Sequence, residues 1–371
     1  MMLDRIEIFH VRMPLVYPFR TAFGNNNAID SVLVRIHSGE SRGWGEASPW
    51  GAPAYSPEYT GGAFLVIRDF LAPRLISRDI TGGEQLQSLL SPVKGNFFAK
   101  AALDQAWWDL EARRQGIPLY RLLGGERNEV EVGADFGIME SIPLLLDTIG
   151  TAVAQGYKRI KLKYRPGWEL DMISAVRERF PETVIHVDCN SAYTLDDLPM
   201  FRELDNFNLA MIEQPLMHDD LVDHAALQRE LKTPICLDES ITSVDRARKA
   251  IDLGACQWVN IKPGRVGGLT NALAIHNLCM EKGIPCWVGG MLESSLGAHQ
   301  CLALSTLSNF TYPADIFPSE RFYNADLSRP EMRLSSPSMM KLPETPGSGA
   351  EPDMERLGEC LVEKAELISR D

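Results

Sequence analysis

Arg159-Ile-Lys-Leu-Lys163, Thr183-Val-Ile-His-Val-Asp188, Leu209-Ala-Met-Ile-Glu213, Pro234-Ile-Cys-Leu-Asp238 and Gln257-Trp-Val-Asn-Ile-Lys262 are five short apolar runs, each closing on a charged side chain. The closing charges fall 25, 25, 25 and 24 residues apart. Runs of this length and β-branched content read as strands, and the stretches between them have room for one helix and its turns. Val130–Gly137 precedes the series, and Pro285–Gly289 and Tyr312–Ile316 follow it. Eight strands separated by helices spell a parallel α/β barrel, whose strand C-termini open onto one face. An open doubly wound sheet also alternates in this way. It usually has fewer repeats, and the Gly-rich first turn that marks many of them is missing here.

Upstream of the barrel, residues 1–129 read as a self-contained α+β unit. Its strands are Arg5–Val11, Ser31–His37 and Gly43–Pro49, and its helices are about Glu58–Leu75 and Phe98–Gln115. The aromatic residues Phe97, Phe98, Trp107 and Trp108 lie on a face of the second helix that belongs to its core. Residues 130–319 hold the barrel. Residues 320–371 break the rhythm with an extended piece at Pro330–Leu334, a Pro/Gly/Ser-rich piece at Pro343–Pro352 and a short helix from about Met354. This tail is expected to pack back on the first unit.

The 371 residues are 45% hydrophobic and 23% charged, the profile of a globular chain with a large core. A net charge of −13 argues against nucleic acid and against an anionic membrane surface. It leaves room for an anionic small molecule in a locally cationic pocket. The seven cysteines show no CxxC pair and sit mostly in apolar runs, which suits a reducing cytoplasm.

In a barrel the five closing residues, Lys163, Asp188, Glu213, Asp238 and Lys262, share one mouth. Any one of them alone reads as a solvated loop charge; five on one register do not. Three carboxylates on adjacent strands repel one another unless a cation lies between them. An all-oxygen set favours Mg²⁺, with Mn²⁺ as a substitute, over Zn²⁺. Lys161 and Lys163, two apart on one strand, face the same way into the barrel. Lys262 approaches from the other side. A carbon acid held between the lysines, with its carboxylate on the metal, would lose a proton to Lys163.

Lys161-Leu162-Lys163, Val187-Asp188-Cys189-Asn190, Ile212-Glu213-Gln214-Pro215, Leu237-Asp238-Glu239-Ser240 and Ile261-Lys262-Pro263-Gly264 resemble the muconate-lactonising-enzyme branch of the enolase superfamily. Gly43-Trp44-Gly45-Glu46-Ala47 is similar to that family's capping domain. The resemblance implies an α/β fold, a modified TIM barrel of (β/α)7β form under an α+β cap built from the N-terminal region and the C-terminal tail. It implies Asp188, Glu213 and Asp238 as Mg²⁺ ligands, Lys163 and Lys262 as the acid/base pair, and Lys161 in support.

Val288-Gly289-Gly290-Met291-Leu292-Glu293-Ser294 and Lys262-Pro263-Gly264-Arg265-Val266-Gly267-Gly268 resemble, within that branch, the o-succinylbenzoate synthases and N-succinylamino acid racemases. This implies a menaquinone-pathway dehydration of a cyclohexadiene carboxylate, with racemisation on the same site as the alternative. Gly290 and Met291 join the substrate-binding candidates. Dipeptide epimerases rank lower, because the eighth-strand region offers one aspartate, Asp315, where they usually carry an Asp-x-Asp. A non-catalytic barrel would leave all five charges without use. Neither a Ser nor a Cys nucleophile motif is present, and Gly264–Gly268 fits no phosphate cradle.

Smaller signals complete the set. Leu15–Gly24 reads as a loop between two strands, carrying Arg20 and Phe23. It is either a lid, with Arg20 on the substrate's succinyl carboxylate, or an ordinary surface loop. Asn190 suits orientation of a ligand. Glu239 either pairs with a catalytic lysine or forms a rim salt bridge. Arg265 either binds substrate or caps the rim. His186 reads as a packed core residue. The small-molecule carboxylate is the expected partner, and the chain is a monomer or a homo-oligomer.

Overall fold

Antiparallel strands β1 (Arg5–Thr21), β2 (Gly24–Ser38) and β3 (Ser41–Ala47) open the chain, and the strand Leu361–Ile368 joins them on the free side of β1. The computed structural model describes residues 1–21 and 24–369. Against this sheet lie the helices of the cap, chiefly Phe97–Gln115. The expected helix Glu58–Leu75 is three pieces: Thr60–Val66, a π-helical turn Ile67–Leu71, and Ala72–Leu75. Pro73 has no amide hydrogen for the carbonyl one turn back, so the helical register widens ahead of it.

Gly43 and Gly45 explain why β3 needs glycine. A Cβ on Gly43 would stand 2.4 Å from the Ala106 carbonyl oxygen, and one on Gly45 would stand 2.2 Å from that of Ala102. The strand therefore lies directly on the backbone of Phe97–Gln115. Its next residue, Glu46, is buried and ties this sheet to the barrel. Its carboxylate accepts from Ser294 N–H (3.0 Å), Ser294 Oγ–H (2.5 Å) and Gly297 N–H (3.1 Å), at the start of the helix Ser295–Leu304. Those amides are the free donors of a helix N-terminus.

The described part of the expected Leu15–Gly24 loop, from Leu15 to Thr21, is not a free loop. It is the far limb of the β1–β2 hairpin, paired as Phe19↔Asn26 and Arg20↔Asn25 beyond an irregularity between Pro14 and Phe19. Phe23 lies outside the described residues. The Arg20 carbonyl accepts from Ile138 N–H at 3.3 Å, which seats the limb on the barrel.

After Glu129–Glu131 (β4), the barrel sheet runs through seven parallel strands. They are β5 (Ala134–Phe136), β6 (Arg159–Lys163), β7 (Val184–Asp188), β8 (Ile212–Glu213), β9 (Ile235–Leu237), β10 (Trp258–Ile261) and β11 (Cys286–Val288), neighbours in chain order. The expected first strand, Val130–Gly137, is broken in two. β4 pairs antiparallel with Met339–Lys341, while Ala134–Phe136 pairs with β6. Gly133 lies at the break, where a Cβ would fall 2.1 Å from the Arg159 guanidinium. The expected eighth strand, Tyr312–Ile316, is reduced to one isolated bridge, Val132↔Ala314, since Pro313 cannot donate to a ladder. It still bridges the ring's open edge: Asp315 N–H reaches Val288 O (2.9 Å) and Gly133 N–H reaches Ala314 O (3.0 Å). Apolar side chains fill the layer between strands and helices, and Met211, Cys236 and Trp287 form a separate cluster. No helix among the described residues is long and apolar enough to cross a membrane.

Candidate active site

Pairing of the parallel strands sets the charges side by side. Lys163 is the register partner of Asp188, and Asp188 of Glu213. Glu213 pairs with Cys236, two residues before Asp238 and on the same face. Asp188, Glu213 and Asp238 are at most 1% exposed. Each meets cations of the chain itself. Lys161 Nζ lies 3.0 Å from Asp188, 2.8 Å from Glu213 and 3.1 Å from Asp315. Lys163 Nζ donates to Asp188 (2.8 Å) and to Asn190 Oδ1 (3.0 Å). Lys262 Nζ donates to Asp238 (2.9 Å) and the Tyr55 hydroxyl (3.3 Å), and stands 4.8 Å from the Tyr55 ring centre.

These contacts set the electrostatics. Burial works against ionisation of Asp188, yet Lys161 and Lys163 hold its carboxyl well below the usual range. Burial likewise disfavours the Lys161 ammonium, and Asp188, Asp315 and Glu213 more than reverse that. Glu239 is pushed up to about 7 by burial and by the Asp188 charge. It does not pair with a lysine directly. Its Oε1 accepts from Asn190 Nδ2 at 3.0 Å, and Asn190 in turn holds Lys163. Asn190 also donates its backbone N–H to Asp188 (3.0 Å), so it orients both.

Arg265 is buried beneath the rim. It is 2% exposed, its guanidinium grips Asp238 and Tyr55, and it donates to the backbone oxygens of Ile241 and Asn260. His186 is packed as expected, its ring 5.3 Å from that of Trp287 and its Nδ1 3.1 Å from the Tyr312 hydroxyl. Asp315 is held by Arg159 (2.6 Å) as well as Lys161, which leaves it unsuited to a substrate amine.

The residues fit a divalent metal by chemistry. The set is all carboxylate, wholly buried, at the ends of three adjacent strands, and Glu213 Oε2 accepts no hydrogen bond of good geometry although Lys161 is near it. Among the described residues, however, no three such side chains are gathered around one point. Lys161, Lys262 and Arg265 pair with these carboxylates instead.

Lys161, Lys163 and Lys262 line one cavity with Asn190, Gly290 and Met291. Phe19 of the hairpin limb and Trp50 and Tyr55 of the cap close it, and Trp50 Nε1 donates to the Met291 carbonyl at 3.0 Å. Its volume of about 30 Å³ is a closed state, close to the space of one or two waters. A second chamber of about 450 Å³ adjoins it, sharing the walls Phe19 and Asp135. Arg20 lines that chamber, half exposed and paired with Glu140 (3.3 Å), and does not reach the lysines. Sequence reading missed Tyr55, Trp50 and Asp135. Asp135 was within reach, because it is the charged residue of the first barrel run and the register partner of Lys161. Nothing local marks Tyr55, which comes from a cap turn.

Two family models match the chain. Residues 4–124 match the mandelate racemase/muconate lactonizing enzyme N-terminal domain, and residues 145–356 match the enolase C-terminal domain-like family. An o-succinylbenzoate synthase from Geobacillus kaustophilus is 44% identical over 99% of this chain and 98% of its own length. An N-succinylamino acid racemase from Amycolatopsis sp. is also 44% identical, over 98% of this chain and 99% of its own. A solved enolase-superfamily structure from Listeria innocua superposes with a TM-score of 0.96 at 36% identity, covering 99% of both chains.

Proposed function

As the chain belongs to the enolase superfamily, in its mandelate racemase/muconate lactonizing enzyme group, we propose that it is an o-succinylbenzoate synthase. It is a carbon–oxygen lyase that dehydrates 2-succinyl-6-hydroxy-2,4-cyclohexadiene-1-carboxylate to o-succinylbenzoate, a step of menaquinone synthesis. The observation that carries the reading is the pair Lys163 and Lys262 in the walls of one buried cavity, Lys163 closing one strand of the ring and Lys262 directly following another.

Superfamily members bind Mg²⁺, and in this chain Asp188, Glu213 and Asp238 would hold it. When bound, the ion supplies Lewis-acid charge that neutralises the substrate carboxylate and acidifies the adjacent carbon. Lys163, as the free amine, takes the proton from that carbon, and the electron pair moves into the carboxylate as an enediolate. Lys262 stays an ammonium, fixed by Asp238 and Tyr55, and its charge stabilises the enediolate. The protonated Lys163 then gives its proton to the ring hydroxyl on the same face. The C–O bond breaks, water leaves and the ring becomes aromatic. Asn190 fixes the Lys163 nitrogen through both steps. Trp50, Phe19 and Met291 keep bulk water out.

A spectrophotometric assay of the purified protein with Mg²⁺ and the cyclohexadiene substrate tests this. Rapid dehydration that falls at least about 100-fold in Lys163→Ala is expected. Dehydration that survives that substitution unchanged overturns the assignment. The second reading, racemisation of N-succinylamino acids, is favoured by the same two lysines, one for each face of a carbon, and by relatives of that name.

A further inference from the structure

The strand Leu361–Ile368 is the outer edge of the cap sheet, with β1 as its only neighbour. Among the described residues, Val362–Ile368 make no backbone hydrogen bond outside the β1 ladder, so the peptide groups of the other side stand ready to pair. The regular ladder runs from Glu363 to Ile368, beyond an irregularity beside His10 and Val11. Val362 and Ile368, near the two ends, are 55% and 63% exposed. Charged side chains commonly guard such an edge. A guard of that kind works by repulsion, and here Glu363, Lys364 and Glu366 do not share one sign. Glu366 is also poorly matched within its own sheet. Its register partner is Glu7, and like charges directly opposite destabilise a ladder. Glu7 is well supplied, by Arg35 (2.5 Å), His37 (2.9 Å) and Lys364 (3.0 Å). Among the described residues, the one ion pair of Glu366 is with Arg5, at 3.4 Å.

We propose that this edge recognises itself: Leu361–Ile368 pairs antiparallel with the same strand of a second copy of the chain, in the register centred on Ala365. Two such strands are related by a two-fold axis perpendicular to the sheet. That axis keeps each side chain on its own face, so opposed positions differ by an even number and the pairing is centred on a residue. Centred on Ala365, it sets Lys364 opposite Glu366 twice, with only alanine on the axis. Glu363 then faces Leu367, and Val362 and Ile368 meet at each end. A pairing centred one residue to either side sets Lys364 or Glu366 against its own copy. Only the Ala365 register gives Glu366 the opposed cation that Glu7 denies it. The two cap sheets of four strands become one sheet of eight, and both edges of the pair are covered.

Sedimentation velocity of the full chain over a protein concentration series tests this, with Lys364→Glu, Glu366→Lys and the double charge swap Lys364→Glu/Glu366→Lys beside the wild type. The wild type is expected to associate in steps of two copies. Each single variant opposes like charges at both symmetry-related positions and should weaken that step at least about 10-fold. The double swap opposes unlike charges again, so association should return to within about 3-fold of the wild type. Thermal unfolding of each variant is read in parallel. Should a single variant lose folded material, the double swap still decides, because its recovery depends on residue 364 of one copy meeting residue 366 of the other. A wild type that stays monomeric across the series overturns the proposal. So does an assembly whose mass is unchanged in both single variants, which places the contact on another surface. Association lost in the single variants and not regained in a folded double swap overturns it as well.

Discussion

Lys161→Met keeps most of the stem of a fully buried side chain and removes only its charge, which makes it the sharpest test of how this site is held together. Its three carboxylate partners do not suffer alike. Asp188 keeps Lys163 at 2.8 Å, and Asp315 keeps Arg159 at 2.6 Å. Glu213, 0% exposed, keeps only the Asn260 amide at 2.7 Å and the edge of His186 at 3.4 Å. One buried charge is thus left without its cation, at a cost of about 3–5 kcal/mol. For 371 residues the unfolding entropy is about 0.8 kcal/mol/K, so the melting temperature in EDTA should fall by about 4–6 °C. Mg²⁺ should then stabilise the variant more than the wild type, because in the wild type it competes with the Lys161 ammonium for the same oxygens. At 100 times its Kd the ion would restore about 2.7 kcal/mol. Differential scanning fluorimetry across a Mg²⁺ series reads both effects. A variant that melts within about 1 °C of the wild type in EDTA, or a Mg²⁺ response identical in the two, would refute the view of Lys161 as the counter-ion that stands in for a metal.

Two further outcomes follow from the geometry. Glu46 is pushed up to about 7 by burial, against the Ser294 and Gly297 donors, from an ordinary value of 4.5. A raised carboxyl contributes its stability below pH 4.5 and loses it as the pH climbs through 7, so the wild type should lose about 3 kcal/mol relative to Glu46→Gln over that window; urea denaturation at pH 5 and pH 8 measures it, and the opposite slope is incompatible with that assignment. Lys262→Arg preserves a cation but no usable base, so it should keep part of the dehydration while racemisation disappears; equal loss of both in parallel assays would mean that Lys262 plays the same role in both reactions and would overturn the assignment.

Much of this architecture is legible in the sequence because a parallel barrel repeats. The step of 25, 25, 25 and 24 residues from Lys163 to Lys262 places five charges on one face before any coordinate is known, and strand register then makes Lys163, Asp188 and Glu213 neighbours. What was not legible depends on tertiary approach. Periodicity cannot say that Lys161 reaches three carboxylates at once, or that Arg265 turns inward to Asp238. Tyr55 and Trp50 enter from cap turns that carry no pattern. The hairpin limb from Leu15 was misread as a loop because Pro14 and Pro18 suggest broken structure, and the irregularity between Pro14 and Phe19 absorbs them. The eighth strand was overdrawn because apolar content cannot show that Pro313 interrupts the ladder.

The cap sheet has one further consequence, for the order in which the molecule assembles. Arg5 of β1 is bonded into a ladder with Ile368, while β1's other end carries Phe19 to the lysine cavity. The strand that presents the closing aromatic is therefore buttressed by a partner more than three hundred residues downstream. On the ribosome β1 and β2 emerge early and pair with each other, but the sheet acquires its fourth member only after every barrel strand has been synthesised. So long-range a pairing forms slowly. During synthesis the barrel mouth stands open beneath an incomplete roof, and an enclosed reaction chamber is among the last features the chain acquires.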